Sequence, residues 1–242
     1  MHWSICPHDM VKQLQTWLDL AIYLQKHLDE HLVVNPVTDF ALFYEHDLPK
    51  AELAFVNPLD AWHLVHERGF VPVARTELYD EVVFITHPDD PADRLDALHD
   101  QPLAAVDRQF ATCLGLYVLR EQDLTPREVV FQPSWVQVIR AVAQRNVRFG
   151  LLYQDFYAGL SALSRAQFRV LHETHTRYAT HMLLLHPDRV AWREPLRAVL
   201  TAMPADPEGA ALLRALRLGR WVPAEDLGGI EPVVQVPVPG RA

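Results

Sequence analysis

Residues 51–75 constrain the fold more than any other stretch of this 242-residue chain. A short apolar run, Leu53 to Val56, leads directly into Asn57 and Pro58. A helically spaced segment follows, stops at Gly69, and gives way to a second β-prone run that ends at Arg75. A strand–helix–strand connection of this kind belongs to a parallel sheet, and open parallel sheets place ligands beyond the carboxyl ends of their strands. Asn57 stands at such an end. A looser copy recurs between Val147 and Ala158, followed by the run Phe168 to His172. Two units so far apart predict two similar α/β lobes facing a cleft.

The bulk properties narrow the choice of function. Half of the residues are hydrophobic, enough for a substantial core and against general disorder. Lys and Arg number 22 against 31 Asp and Glu, a net charge of −9, and no basic run interrupts the acidity. Nucleic-acid binding is therefore disfavoured. Apolar runs such as Met182 to Leu185 fall far short of a membrane span. The N-terminal residues lack an export-signal pattern, so the chain reads as cytoplasmic as written and periplasmic if a signal was removed. Two cysteines, Cys6 and Cys113, are too few for a disulfide framework and are expected to be reduced.

Periodicity sets out the remaining elements. Strands are expected at His2–Cys6, His31–Asn35, Leu103–Val106, Val129–Phe131, Phe149–Leu152 and Phe168–Leu171. Helices are expected after His8-Asp9 and over Thr38–Glu45, Thr112–Gln122, Ser134–Gln144, Asp155–Ser161, Trp192–Met203 and Glu208–Leu218. The runs Tyr79–Thr86 and Ala179–His186 read as antiparallel strands that cross between lobes. One lobe then comprises residues 1–81 with 177–242, and the other residues 82–176. The tail from Glu231 reads as extended or disordered.

The order of these parts resembles the substrate-binding proteins of phosphate, phosphite and phosphonate ABC transporters. The resemblance is carried by Leu53 to Pro58, Gly69 to Pro72, Tyr79 to Val83, Ala141-Val142 ahead of Phe149-Gly150, and Gly219 to Pro223. It implies a two-lobed periplasmic-binding-protein fold with two interlobe crossovers. It also implies a small oxyanion as ligand, and an ABC permease or a signalling protein as partner. In that family a Ser/Thr-rich loop at the start of the second lobe's first helix holds the oxyanion, where free N–H groups and the positive helix end favour an anion. The matching segment is Asp107 to Gly115. Thr112 keeps a hydroxyl, Cys113 replaces a second one, and Arg108 could add charge. An ordinary helix cap by Thr112 is the competing reading.

The family's next ligand contact, a His, corresponds to Trp135, preceded by Ser134. The acidic residue that meets an amine has no counterpart in Leu152-Tyr153-Gln154. A plain oxyanion, or a ligand stacking on Trp135 and Tyr153, fits better than an aminophosphonate. His8, at the end of the first strand, completes the candidate ligand contacts. The thirteen histidines form no known metal-spacing motif, and His172, His175, His181 and His186 read as satisfied or surface groups. No cofactor or metal is expected, since dinucleotide and P-loop fingerprints are missing. Ser134 and Cys113 lack the flanks of a nucleophile. The rival readings are an enzyme on the same fold, resembling those of pyrimidine or menaquinone pathways, and a degenerate sensor or interaction module.

Overall fold

The computed structural model describes residues 1–240. From the start to Tyr79 the elements are β1 (His2–Ile5), α1 (Pro7–Leu28), β2 (Val33–Val34), α2 (Phe40–Leu42), β3 (Leu53–Val56), α3 (Pro58–Arg68) and β4 (Val71–Tyr79). Next come β5 (Val82–Thr86), β6 (Pro102–Val106), α4 (Phe110–Arg120), β7 (Glu128–Gln132), α5 (Trp135–Ala143), β8 (Phe149–Tyr153), α6 (Gln154–Ala158), α7 (Ala162–Arg165) and β9 (Arg169–Glu173). The chain continues with β10 (Thr180–Leu185), α8 (Arg193–Ala202), α9 (Pro207–Leu216), β11 (Val222–Pro223) and α10 (Glu231–Val234). Two compact units result. Unit 1 joins Met1–Tyr79 to Ala179–Gly228, and unit 2 joins Asp80–Tyr178 to the segment from Gly229.

Unit 1 holds a six-stranded sheet in the order β11-β4-β10-β3-β1-β2. Strands β1, β2 and β3 run parallel, and β10 pairs antiparallel with both β3 and β4. The β3–α3–β4 crossover therefore does join like-directed strands, with β10 inserted between them. Strand β3 shows why the sheet sits in the middle of its unit. Leu53 and Phe55 enter the core cluster that includes Trp3, Trp17 and Leu196, while Ala54 and Val56 enter another cluster with Ala61, Leu64 and Phe70. Both faces are covered, so the strand reads as continuously apolar rather than alternating. Trp17 of α1 anchors the first cluster, 5.9 Å edge-on from Trp3 and 4.8 Å from the Phe55 ring.

Unit 2 repeats the plan in a five-stranded sheet, β7-β6-β8-β5-β9. Strands β6, β7 and β8 are parallel, and β5 is the antiparallel insert between β8 and β9. Two glycines let helices lie close on this sheet. A Cβ on Gly115 of α4 would fall 1.9 Å from Leu151 Cδ1, and one on Gly150 of β8 would fall 2.9 Å from both Val138 and Val142 of α5. Leu151 and Gly150 are consecutive in β8, so α4 and α5 cover opposite faces.

Four expectations are corrected. The run Tyr79–Thr86 is not one strand: β4 ends at Tyr79 and β5 begins at Val82, because Asp80 and Glu81 turn their carboxylates into local hydrogen bonds. Glu81 accepts from Thr174 and Thr176 hydroxyls and from the Arg177 N–H (2.6 Å), while Asp80 accepts from Tyr153. The Thr38–Glu45 helix shrinks to the single turn α2, followed by a wide helical turn over Phe43–Asp47. The second strand shortens from His31–Asn35 to two residues. The tail from Glu231, expected extended in the first lobe, forms α10 against α4 in unit 2. Ile230, Val233 and Val236 are buried, and the Val129 N–H donates to the Pro239 carbonyl.

Candidate functional site

At the carboxyl end of β6 the chain passes through Asp107, whose carboxylate accepts from the Arg108 N–H, and through Arg108 in the left-handed region (φ 55°). It then enters α4. Gln109 is the N-cap residue, and no side chain caps this helix. Thr112 is the third residue of the helix rather than its opening residue. Its hydroxyl donates to the Val106 carbonyl at 2.7 Å, and its N–H and that of Cys113 already bond the Gln109 carbonyl. A hydroxyl has one hydrogen to give. Thr112 thus ties α4 to the end of β6, its hydroxyl hydrogen directed to a backbone carbonyl. The N–H groups that open the helix belong to Phe110 and Ala111. Gly115 serves helix-to-sheet packing, and Cys113 is buried on α4.

At the carboxyl end of β7, Ser134 caps α5 by accepting from the Gln137 N–H. Trp135 follows, 4% exposed, and its indole Nε1 has no hydrogen-bond partner among the described residues. A buried donor left in that state costs stability unless something meets it. At the end of β8, Tyr153 donates to Asp80 at 3.0 Å, so its hydroxyl belongs to the crossover residues. Its ring sits ahead of the short α6, which carries Asp155 in its first turn.

The corresponding ends in unit 1 are built differently. Asn57 caps α3 twice, accepting from the N–H groups of Leu59 and Asp60, and donates to the Asp60 carboxylate at 2.6 Å. Tyr44 donates to the same carboxylate. Asn57 thus both caps its own helix and holds the Asp60 carboxylate. His8, half-buried, lies in the first turn of α1.

One grouping has no counterpart in the sequence motifs. Cys6 at the end of β1, Asp9 in the first turn of α1 and His181 on β10 bring one sulfur, one oxygen and one nitrogen within 4.8 Å of one another. The His181 Nε2 and Asp9 Oδ2 atoms are 3.4 Å apart. Burial pushes the Cys6 thiol up to about 11, against the opposing effect of its hydrogen bond with His181. Cys6 and Asp9 are neighbours in sequence, but His181 arrives by sheet pairing across the chain. Of the four clustered histidines, His186 instead receives the Asp188 N–H in its own turn, and His172 lies on β9.

Charge separates the two sets of helix starts. Helices α1 and α3 hold Asp9 and Asp60 in their first turns, whereas α4 and α5 hold no acidic residue there. A first-turn carboxylate neutralises the partial positive charge of the helix end, and without it the charge remains for an anion from outside.

The model of the family described as ABC transporter, phosphonate, periplasmic substrate-binding protein matches residues 4–227. The chain belongs to this family. It is a family of transporter binding proteins, not of enzymes. PhnD1 from Prochlorococcus marinus (MIT 9301), solved in complex with methylphosphonate, shares 13% identity over 96% of each chain, with a TM-score of 0.80. XAC2383 from Xanthomonas citri, solved bound to ATP, shares 16% identity over 98% of this chain and 94% of that one, with a TM-score of 0.75. The periplasmic aliphatic sulphonate binding protein SsuA from Escherichia coli is similar at 15% identity, covering 97% of this chain and 76% of that one, with a TM-score of 0.63. These likenesses show the two-lobed type 2 periplasmic-binding-protein fold. No curated protein matches this chain. No helix among the described residues is long and apolar enough to cross a membrane.

Proposed function

We propose that this phosphonate-type binding protein holds a small tetrahedral oxyanion at the starts of α4 and α5 in unit 2, for delivery to an ABC permease. The observation that carries the reading is the pair of helix starts free of first-turn acids, one of them also lacking a side-chain cap. The buried indole N–H of Trp135 supplies a further donor at the second start. Arg108, exposed just ahead of α4, adds positive charge beside the first. Ser134 orients α5, and the Tyr153 ring offers an apolar wall to an organic substituent. Phosphate, phosphite and simple phosphonates suit this donor set. An aminophosphonate suits it less, because Gln154 stands at the strand end where a carboxylate would meet the amine. The periplasmic description of the family favours the exported of the two placements expected from the sequence.

Isothermal titration with phosphate, phosphite, methylphosphonate, 2-aminoethylphosphonate, sulfate and methanesulfonate tests the proposal. At least one of the first three should bind with a simple one-site isotherm, and 2-aminoethylphosphonate should bind more weakly than methylphosphonate. Trp135→Phe, which keeps an aromatic side chain and loses the donor, should weaken the best ligand about tenfold, the range of a lost hydrogen bond to a charged group. Silence toward all six anions would refute the reading.

A further inference from the structure

We propose that Cys6, Asp9 and His181 form a binding site for a zinc-class divalent cation within unit 1. Sulfur, imidazole nitrogen and carboxylate oxygen are the donor types that a borderline-soft dication takes together. The donor atoms already lie within 4.8 Å of one another, and the nitrogen-to-oxygen separation is 3.4 Å. Adjacent ligand atoms of a tetrahedral zinc ion stand about 3.3–3.6 Å apart, given the usual metal–ligand bond lengths. One edge of the tetrahedron is therefore in place, and the sulfur has to close by at most about 1.5 Å.

The three donors sit on fixed backbone. The Cys6 N–H donates to the Phe55 carbonyl at 2.9 Å, and the Cys6 carbonyl accepts from the N–H groups of Asp9 and Met10. His181 lies where the register of β10 on β4 shifts between Thr180 and Met182. Such irregularities re-aim a side chain that regular pairing would send elsewhere. Its ring packs 5.4 Å from that of Phe55, which limits its swing. Cys6 is 1% exposed and His181 6% exposed, and Asp9 is partly buried, so the donors lie largely away from solvent.

Charge also balances. On binding, the thiol loses its proton to solvent and forms the sulfur–metal bond, so thiolate and carboxylate together cancel the dication. A neutral assembly is what a low-dielectric interior accepts. Three protein ligands leave the fourth position open, as in sites that exchange a ligand and unlike closed structural ones. The site lies in unit 1 and does not rest on the oxyanion reading of unit 2.

Cobalt titration of the full chain, after chelator treatment, tests the site. One equivalent of Co²⁺ should give a thiolate-to-cobalt charge-transfer band and the intense visible bands of a four-coordinate ion, and Zn²⁺ should bleach both. Cys6→Ser should abolish the charge-transfer band, whereas Cys113→Ser should retain it. Cys6 is deeply buried and its variant could fail to fold, so Asp9→Asn is the second arm. With its circular dichroism unchanged, it should bind cobalt at least tenfold more weakly. A wild-type protein without the band, a band that survives Cys6→Ser, or an unaltered cobalt affinity in Asp9→Asn would each overturn the proposal.

Discussion

The two units use one sheet plan and opposite chemistry at its rim. In each, an antiparallel strand is inserted between two parallel ones: β10 between β3 and β4, and β5 between β8 and β9. In unit 1 the helix starts carry their own carboxylates and consume their own donors, as Asn57 does with Asp60. In unit 2 the starts of α4 and α5 carry none. The same backbone thus yields one rim whose helix starts are internally neutralised and one in which only α6, with Asp155, carries a first-turn carboxylate. Sheet topology and helix-start charge are thus set by different residues, the second by a handful of first-turn positions.

The units also reach dense packing by different means, and this contrast carries the largest expected effect. Unit 1 is built around a large ring, Trp17, and Trp17→Ala should lower stability by about 3–5 kcal/mol, read from denaturant midpoints. In unit 2 the seat of α5 on β8 depends on a missing side chain. In Gly150→Ala the new methyl would press on Val138, Val142 and Ile85, and a loss of about 1–3 kcal/mol is expected. An alanine tolerated at Gly150 would mean that α5 rides more loosely on β8 than the structure has it.

Copying unit 1's charge into unit 2 is the next test. Gln109→Glu places a carboxylate at the start of α4, nearly isosterically, and should weaken oxyanion binding about tenfold, close to 1.4 kcal/mol. The exposed Val136→Asp does the same for α5 with little strain on packing. If calorimetry finds affinity unchanged in both, the starts of α4 and α5 are not where the anion sits.

Removing the cap in unit 1 is smaller. Asn57→Ala should cost about 1 kcal/mol in thermal unfolding, as cap losses do, with no first-order change in oxyanion affinity. A large drop in affinity would give Asn57 the ligand role expected from sequence.

The smallest effect concerns acid. Burial pushes the Glu52 carboxyl up, but hydrogen bonds from the His2 N–H and from Arg189 outweigh it and hold it below its ordinary value of 4.5. A depressed carboxylate contributes stability above its unfolded-state pKa, and that contribution is lost as pH falls below about 4.5 toward the folded-state value. Glu52→Gln should therefore flatten the acid limb of a stability-versus-pH curve while leaving its shape near neutrality. An identical acid limb in the variant would count against this pair.

Much of the architecture was legible in the chain because its signals are local. Wholly apolar four- and five-residue runs, Asn57-Pro58 before a helix and Gly69 after it are short-range events, and they locate β3, α3 and β4. What escaped depends on partners far away in sequence. The insertion of β10 between β3 and β4 is a pairing choice that no period reveals. Thr112 resembles a helix mouth because a hydroxyl residue is a common cap, yet the helix already begins at Phe110. Alternating Val and Pro in the tail from Glu231 resemble an extended or disordered segment, while Ile230, Val233 and Val236 bury in unit 2. The Cys6–Asp9–His181 cluster was invisible for the same reason, since sheet pairing rather than spacing brings the imidazole to the other two.

Three chain crossings, at Tyr79–Asp80, Tyr178–Ala179 and Gly228–Gly229, have a consequence for synthesis. The first seventy-nine residues emerge from the ribosome without β10, whose pairing sites on β3 and β4 must wait. The next segment emerges without α10, leaving apolar surface on α4 uncovered. Unit 1 can close only after β11 has been made, and unit 2 only after Val236. Each half of this protein therefore waits on residues far along the chain, so its partly made forms expose unpaired strands and apolar surface longer than those of a chain whose domains emerge complete, one after the other.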